Sequence, residues 1–115
     1  MAYSTIPKGS LYMNTKLYTG DGTTSNSITS VGFQPDFTWI KQRSGTEWNI
    51  LFDAVRGATK HIQSNSPNAE GTGAQTLKSF DSNGFTLGSA VDTNGSSSTY
   101  ASWNWKANGA GSANT

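Results

Sequence analysis

The chain has 115 residues, enough for one domain with one modest core, and only 13% of them are charged, against roughly 25% in an average soluble domain. The formal net charge of +1 arises from scattered lysines and arginines rather than from a basic stripe, so we expect no nucleic-acid partner. No apolar run approaches the ~20 residues that cross a bilayer, and the chain has no cysteine for a disulfide or a zinc–thiolate site.

The composition favours a β fold. Ser, Thr, Gly and Asn make up nearly half of the chain, and these residues are poor helix formers because they compete for backbone hydrogen bonds or carry an entropic penalty. Four tryptophans, four tyrosines and five phenylalanines supply the large buried rings that disordered chains lack. We therefore expect a folded domain of short strands joined by tight turns.

Three segments differ in composition. Residues 1–10 are predicted to be an N-terminal arm, or a segment that packs on a neighbour. Residues 11–107 are predicted to be one β-sandwich domain. Residues 108–115 have the composition of a linker, which is typical of a module within a longer protein.

The first half of the domain contains four predicted strands. Residues 11–19 alternate as a strand and end at an Asp-Gly turn, where Gly22 supplies a positive φ. Residues 27–31 form a short second strand. Residues 37–43 and 47–53 follow as a hairpin around a Ser-Gly-Thr turn. Both faces of this hairpin are partly apolar, so we expect the core to cover one face and a neighbour to cover the other.

The second half adds three or four strands. Residues 60–64 are a candidate strand, and residues 65–75 and 92–98 are predicted loops. A second hairpin and a last strand are predicted at residues 77–80, 85–87 and 100–106. The pattern indicates an all-β, antiparallel β-sandwich, like a jelly roll, with seven or eight short strands. We expect the rings of Trp39, Phe52 and Trp103 to converge between its two sheets.

Catalytic and metal-binding patterns are weak. The acidic residues lie in turns or beside strands, and the single histidine, His61, has no Gly-x-Ser-x-Gly elbow to serve. Asp92 and Asn94 begin like a calcium loop that lacks its closing glutamate, so they are a weak calcium site and also fit an ordinary turn. We expect no cofactor and no enzyme activity.

Aromatic residues offer the strongest binding pattern. Trp and Tyr faces stack on sugar rings while amides bind the hydroxyls. The candidate glycan-binding residues are Trp48, Asn49, Tyr100, Asn104 and Trp105. The alternative is that tryptophans build the core, which we favour for Trp39 and Trp103.

Arg56 is predicted to have a structural role. It lies at a Val-Arg-Gly corner three residues after Asp53, and a bidentate pair of the guanidinium with this carboxylate would fix the turn.

Several segments together carry a family resemblance. They are residues 18–23 (YTGDGT), 31–37 (VGFQPDF) with 39–41 (WIK), 51–53 (LFD) with 55–60 (VRGATK), 79–88 (SFDSNGFTLG) and 100–106. In this order they cover about residues 17–107, and the chain resembles an uncharacterised repeat domain in virion and tail-fibre-like proteins of marine tailed phages. Asn104 departs from the pattern, which has a small or thiol residue between the two tryptophans.

The resemblance implies a location on a phage particle that is produced in the host cytoplasm. It implies a structural role in a tail fibre, a tail or a capsid decoration, with other virion proteins as partners and a homotrimer or another homo-oligomer as the assembly. Host-surface attachment, through a surface glycan, is the expected activity. The alternative reading is a carbohydrate-binding module that works alone.

Overall fold

The computed structural model describes residues 9–107 and is an all-β sandwich. The predicted tail, residues 108–115, and the predicted arm up to residue 8 lie outside the described residues. Within the described range the elements are a 3-10 turn (Gly9–Leu11), β1 (Met13–Thr19), β2 (Asn26–Ile28), β3 (Phe37–Gln42), β4 (Ile50–Asp53), β5 (Lys60–Gln63), β6 (Gly71–Thr72), β7 (Leu77–Asp81), β8 (Gly84–Leu87), α1 (Val91–Asn94) and β9 (Thr99–Trp105).

The two sheets differ in size. The larger has six strands in the order β1-β9-β3-β4-β5-β6, and the smaller has three in the order β2-β8-β7. Neighbouring strands run antiparallel throughout. This architecture confirms the predicted fold class, and the strand beyond the predicted number is β6, which lies in a segment predicted to be loop.

Both predicted hairpins are present with changed boundaries. In the first, Phe37 lies opposite Asp53, but β4 begins at Ile50, so the connection after β3 is longer than the predicted three residues. In the second, β7 and β8 pair around a short turn at Ser82 and Asn83. Gly22 has the predicted positive φ, at 69°.

Two further segments were predicted incorrectly. The predicted strand over residues 27–31 ends at Ile28, because the chain then turns into the core, where Val31 and Phe33 are buried. The predicted loop over residues 92–98 begins with the short helix α1. In the described part of the chain no helix is long and apolar enough to cross a membrane.

The core lies between the two sheets. Its buried residues are Ile28, Val31, Phe33, Ile40, Ile50, Phe52, Leu77, Phe85, Leu87 and Tyr100. Phe52 is fully buried, as predicted, but the prediction for Trp39 and Trp103 is wrong. The strand register places Thr38 opposite Phe52 and Trp39 opposite Trp103, and successive side chains on a strand point to opposite faces. The two tryptophans therefore lie on the side of the larger sheet that faces away from the core.

Candidate functional site

The outer face of the six-stranded sheet is aromatic and uncovered by the small sheet. We call this surface the outer face; its apolar side chains are Met13, Leu17, Phe37, Trp39, Leu51, Ile62, Trp103 and Trp105. All of them are half-buried except Leu17, which is exposed. Large contiguous apolar patches on a folded domain mark interaction surfaces more often than scattered apolar residues do.

The rings of the outer face are ordered in cross-strand pairs. Trp39 and Trp103 are direct neighbours on β3 and β9, with ring centroids 5.6 Å apart and planes tilted by 57°. Phe37 and Trp105 form the adjacent pair, at 5.1 Å and 61°. Because tilted and edge-to-face pairs at these distances are favourable, each ring holds its neighbour in place. The four rings form a fixed aromatic cluster in the middle of the face.

The indole N–H groups of the cluster differ in whether they have an acceptor within the domain. The indole N–H of Trp39 donates to Asn49 Oδ1 at 3.2 Å, which fixes this ring against the chain that leads into β4. The Nε1 atoms of Trp103 and Trp105 donate to no acceptor within residues 9–107, and both residues are half-buried. These two N–H groups are therefore candidate donors to a ligand.

Within residues 9–107 the charged side chains on this side of the sheet are Lys41 on β3, Asp53 on β4, directly opposite Phe37, and Lys60 on β5. Lys41 donates to the carbonyl of Glu47, and Asp53 is held by Arg56, whose Nε lies 2.8 Å from Asp53 Oδ2. The predicted Arg56–Asp53 pair is confirmed, but it is not bidentate, because Arg56 Nη1 binds Glu70 Oε2 at 2.8 Å instead. Trp39 and Trp103 have no charged residue directly opposite them on a neighbouring strand, and the charged groups beside the cluster are bound within the domain.

The predicted glycan-binding residues do not lie together. Trp105 is on the outer face, whereas Asn104 and Tyr100 point to the other side of β9 and are fully buried. Asn104 accepts from Thr38 Oγ1 at 3.0 Å and donates to the Asn14 carbonyl at 3.2 Å. Both residues are therefore part of the interior, and their prediction as ligand-binding residues is wrong.

Tyr100 has a structural role at one end of the sandwich. Its hydroxyl donates to the Val91 carbonyl and accepts from the Gly95 N–H at 2.8 Å. Tyr100 therefore binds the first residue of α1 and the residue that follows its last. Burial raises the pKa of the Tyr100 phenol, and burial is also the main reason why the pKa of the neighbouring Tyr18 is raised. The two rings stack at 5.2 Å.

Trp48 and Asn49 precede β4. Trp48 is 41% exposed, and Asn49 is half-buried and accepts from the indole N–H of Trp39. Of the predicted glycan-binding residues, Trp48, Asn49 and Trp105 are therefore at least partly accessible. Trp105 lies on the outer face, and Asn49 contacts this face through Trp39.

At the weak calcium site that the sequence predicted, the side-chain amide of Asn94 already makes hydrogen bonds to protein groups. Asn94 is fully buried, and its Oδ1 accepts from the Asp21 N–H at 3.0 Å and from Asn26 Nδ2 at 2.8 Å. Its Nδ2 donates to Asp21 Oδ1 and to the Thr23 carbonyl. Since both ends of the amide are used, Asn94 ties the β1–β2 turn to α1. Within residues 9–107 no group of three His, Cys, Asp or Glu side chains converges to hold a metal.

Asp92 is instead close to Glu47. A hydrogen bond with Asp92 is the main cause that raises the pKa of the Glu47 carboxyl, with burial next. His61 lies elsewhere, on β5, with its ring 6.0 Å from that of Phe52 and with no hydrogen-bond partner for its buried Nδ1 in the described residues.

Replacing Glu47 by glutamine is expected to alter how stability depends on pH. The raised pKa means that protonated Glu47 stabilises the fold below its ordinary pKa, and that this contribution is lost as pH rises through the higher folded value. Glutamine keeps an N–H donor toward Asp92 at every pH. We expect the melting temperature of Glu47→Gln to equal that of the wild type in acid and to exceed it at neutral pH, measured from about pH 4 to 8.

Glu70→Gln removes the same charge but breaks the Arg56 ion pair, so it serves as the control. A rise in melting temperature at neutral pH in this variant as well would assign the effect to net charge, against the Glu47–Asp92 contact.

Comparison with known proteins identifies the family. The model of a family described as a domain of unknown function, DUF7483, matches residues 8–115. The chain belongs to this family. No curated protein matches the chain, and no solved structure does. The family description names no activity, so the link to phage virion proteins stays a prediction.

The residues of the outer face were only partly foreseen. Alternation correctly groups Ala101, Trp103 and Trp105 on one side of β9, and Phe37 and Trp39 on one side of β3. This grouping was the available signal for the site, but it does not say which side the small sheet covers.

Proposed function

We propose that this domain is a structural module of a phage virion protein that contributes to the particle and to attachment to the host surface, without catalysis. The resemblance over residues 17–107 supports the location. The observation that carries attachment is the aromatic cluster of the outer face, formed by Phe37, Trp39, Trp103 and Trp105. These rings lie on the side of the larger sheet that faces away from the core, so the exposed part of each half-buried ring is available to a partner.

A host-surface glycan fits the chemistry of the cluster. Sugar rings have apolar faces that stack on indoles, and their hydroxyls can accept from the N–H groups of Trp103 and Trp105. Lys41 and Asp53 beside the cluster are already bound within the domain, which suits a neutral sugar better than a phosphate-rich ligand. The rigid ring pairs also reduce the entropy that binding costs.

Truncation of Trp103 tests the binding surface. We expect Trp103→Ala to weaken binding to host-surface polysaccharide at least about tenfold, or ~1.4 kcal/mol, because buried tryptophans dominate such contacts. Binding is measured by glycan array and by titration calorimetry, with circular dichroism to check the fold. Trp48→Ala makes the same change outside the outer face and is expected to bind like the wild type. Loss of binding in Trp48→Ala alone would move the site away from the outer face.

A carbohydrate-binding module that works alone is the second candidate. The exposed indole of Trp48 beside Asn49 favours it, since this is a ligand-accessible ring outside the ordered pairs. Imaging of purified particles separates the candidates. Ordered copies of the domain on the particle support the virion module, whereas glycan binding by a domain that is absent from particles supports the second candidate.

A further inference from the structure

Strand β1 ends the six-stranded sheet with an open edge. It pairs with β9 on one side, and no strand within residues 9–107 pairs with its other side. The Lys106 N–H donates to the Tyr12 carbonyl and the Gly20 N–H donates to the Ser98 carbonyl, so the even-numbered residues of β1 bond to β9. Antiparallel ladders alternate, and the odd-numbered residues therefore direct their N–H and C=O groups outward. These residues are Met13, Thr15, Leu17 and Thr19.

The other sheet edges are short or interrupted. β6 has two residues and β2 has three, while β7 has five and contains a register shift between Leu77 and Ser79. Such irregularities, together with charges, protect natural edges from pairing. The seven residues of β1 keep an unbroken register and include no proline. β1 is therefore the edge best suited to accept another strand.

Exposed apolar side chains concentrate beside this edge. Leu11 is 49% exposed, Tyr12 46% and Leu17 56%. They make up half of the large apolar residues that residues 9–107 expose. The only charge on the strand is Lys16, which points to the inner side of the sheet. Covering these side chains would remove apolar surface from water, so the pairing of this edge with another strand is favourable.

We propose that β1 pairs antiparallel with β1 of a second copy across a two-fold axis. An antiparallel edge is self-complementary under this symmetry, because each outward N–H meets an outward C=O of the same strand in the other copy. A register with Thr15 on the axis places Met13 of one copy opposite Leu17 of the other. It also keeps the two Lys16 side chains apart, since like charges directly opposite are destabilising.

The pairing would join two six-stranded sheets into one continuous sheet. Both outer faces would then lie on the same side, and a repetitive polymer could contact both aromatic clusters at once. The inference goes beyond the proposed function, because the edge can pair whether or not the outer face binds a glycan.

Sedimentation equilibrium of the full chain tests the proposal. We expect a monomer–dimer equilibrium, and we expect Leu17→Lys to raise its Kd at least about tenfold. Val55→Lys adds the same charge at a corner residue that is 97% exposed, and its Kd is expected to stay within about twofold of the wild type. A wild type that is monomeric at about 200 µM, a trimer, or a Leu17→Lys variant that dimerises like the wild type would each overturn the proposal.

Amide hydrogen exchange gives a second readout on the folded wild type. The N–H groups of Thr15 and Leu17 point away from β9, so they should exchange fast in dilute solution and slowly at high concentration. Protection that does not depend on concentration would mean that another part of the same chain, such as residues 1–8, covers the edge, and this would overturn the proposal. Absence of protection at any concentration would overturn it too.

Discussion

Replacing Gly84 by alanine is expected to destabilise the domain by about 3 kcal/mol or more, a large part of the roughly 5–15 kcal/mol that keeps a domain folded. Gly84 begins β8 with a φ of 155°, and a Cβ atom there would lie 1.8 Å from the Ile28 carbonyl oxygen. That oxygen belongs to the neighbouring strand β2, which β8 must approach to form the small sheet. Because the obstacle is backbone, it cannot rotate away, and the two strands would have to separate. Urea denaturation measures the loss as a lower midpoint.

Gly57→Ala is the matched control for this prediction. Gly57 also has a positive φ, of 94°, but a Cβ there meets nothing within 4 Å. We therefore expect Gly57→Ala to lower the free energy of unfolding through backbone strain alone, by about 1–2 kcal/mol. If Gly84→Ala costs no more than Gly57→Ala, the close approach of β8 and β2 is not as described.

The periodicity of the chain was enough to predict the class of fold. Period-2 alternation around a Ser-Gly-Thr turn and an Asp-Ser-Asn-Gly turn located the two hairpins, and the many turn residues left little room for helix. Strand ends were less predictable. Residues 47–49 continue the alternation of β4, but they leave the sheet and contact other elements, as in the hydrogen bond of Asn49 to Trp39. Tertiary contacts of this kind are invisible to a local pattern.

The assignment of faces could not be predicted from local sequence. On β3, Thr38 and Ile40 face the core while Phe37 and Trp39 face outward, so the more aromatic side is the outer one. A ranking of the two faces of β3 by hydrophobicity would instead place Phe37 and Trp39 in the core. The decision depends on which side the small sheet covers, and two of its three strands, β7 and β8, are distant from β3 in sequence.

The candidate site shows the same limit at β9. Asn104 and Trp105 are adjacent in sequence and were predicted as one ligand-binding group, but a strand separates neighbours to opposite faces. Asn104 is buried because a ladder of polar partners reaches it: Thr38 on β3 and the backbone of Asn14 on β1. Without the register of three strands, a buried asparagine with these partners cannot be recognised.

The difference between the two faces leads to the second large prediction. Phe52→Ala is expected to cost about 3–5 kcal/mol, because the ring is fully buried between the sheets and its removal leaves a cavity. Trp39→Ala removes a larger ring from a half-buried position on the adjacent strand and the opposite face, so we expect only about 1–2 kcal/mol. Urea denaturation of both variants under the same conditions gives the comparison.

The order of the stability losses of Phe52→Ala and Trp39→Ala tests the structure more sharply than their size does. If ring area alone determined stability, the tryptophan variant would be the less stable of the two. The structure requires the reverse order, because the phenylalanine is fully buried in the core cluster that both sheets build, whereas the tryptophan is half-buried on the outer face, where it packs on Trp103 and donates to Asn49. A Trp39→Ala loss as large as that of Phe52→Ala would mean that the outer face is covered in the free domain, and the aromatic cluster would then not be available to a partner.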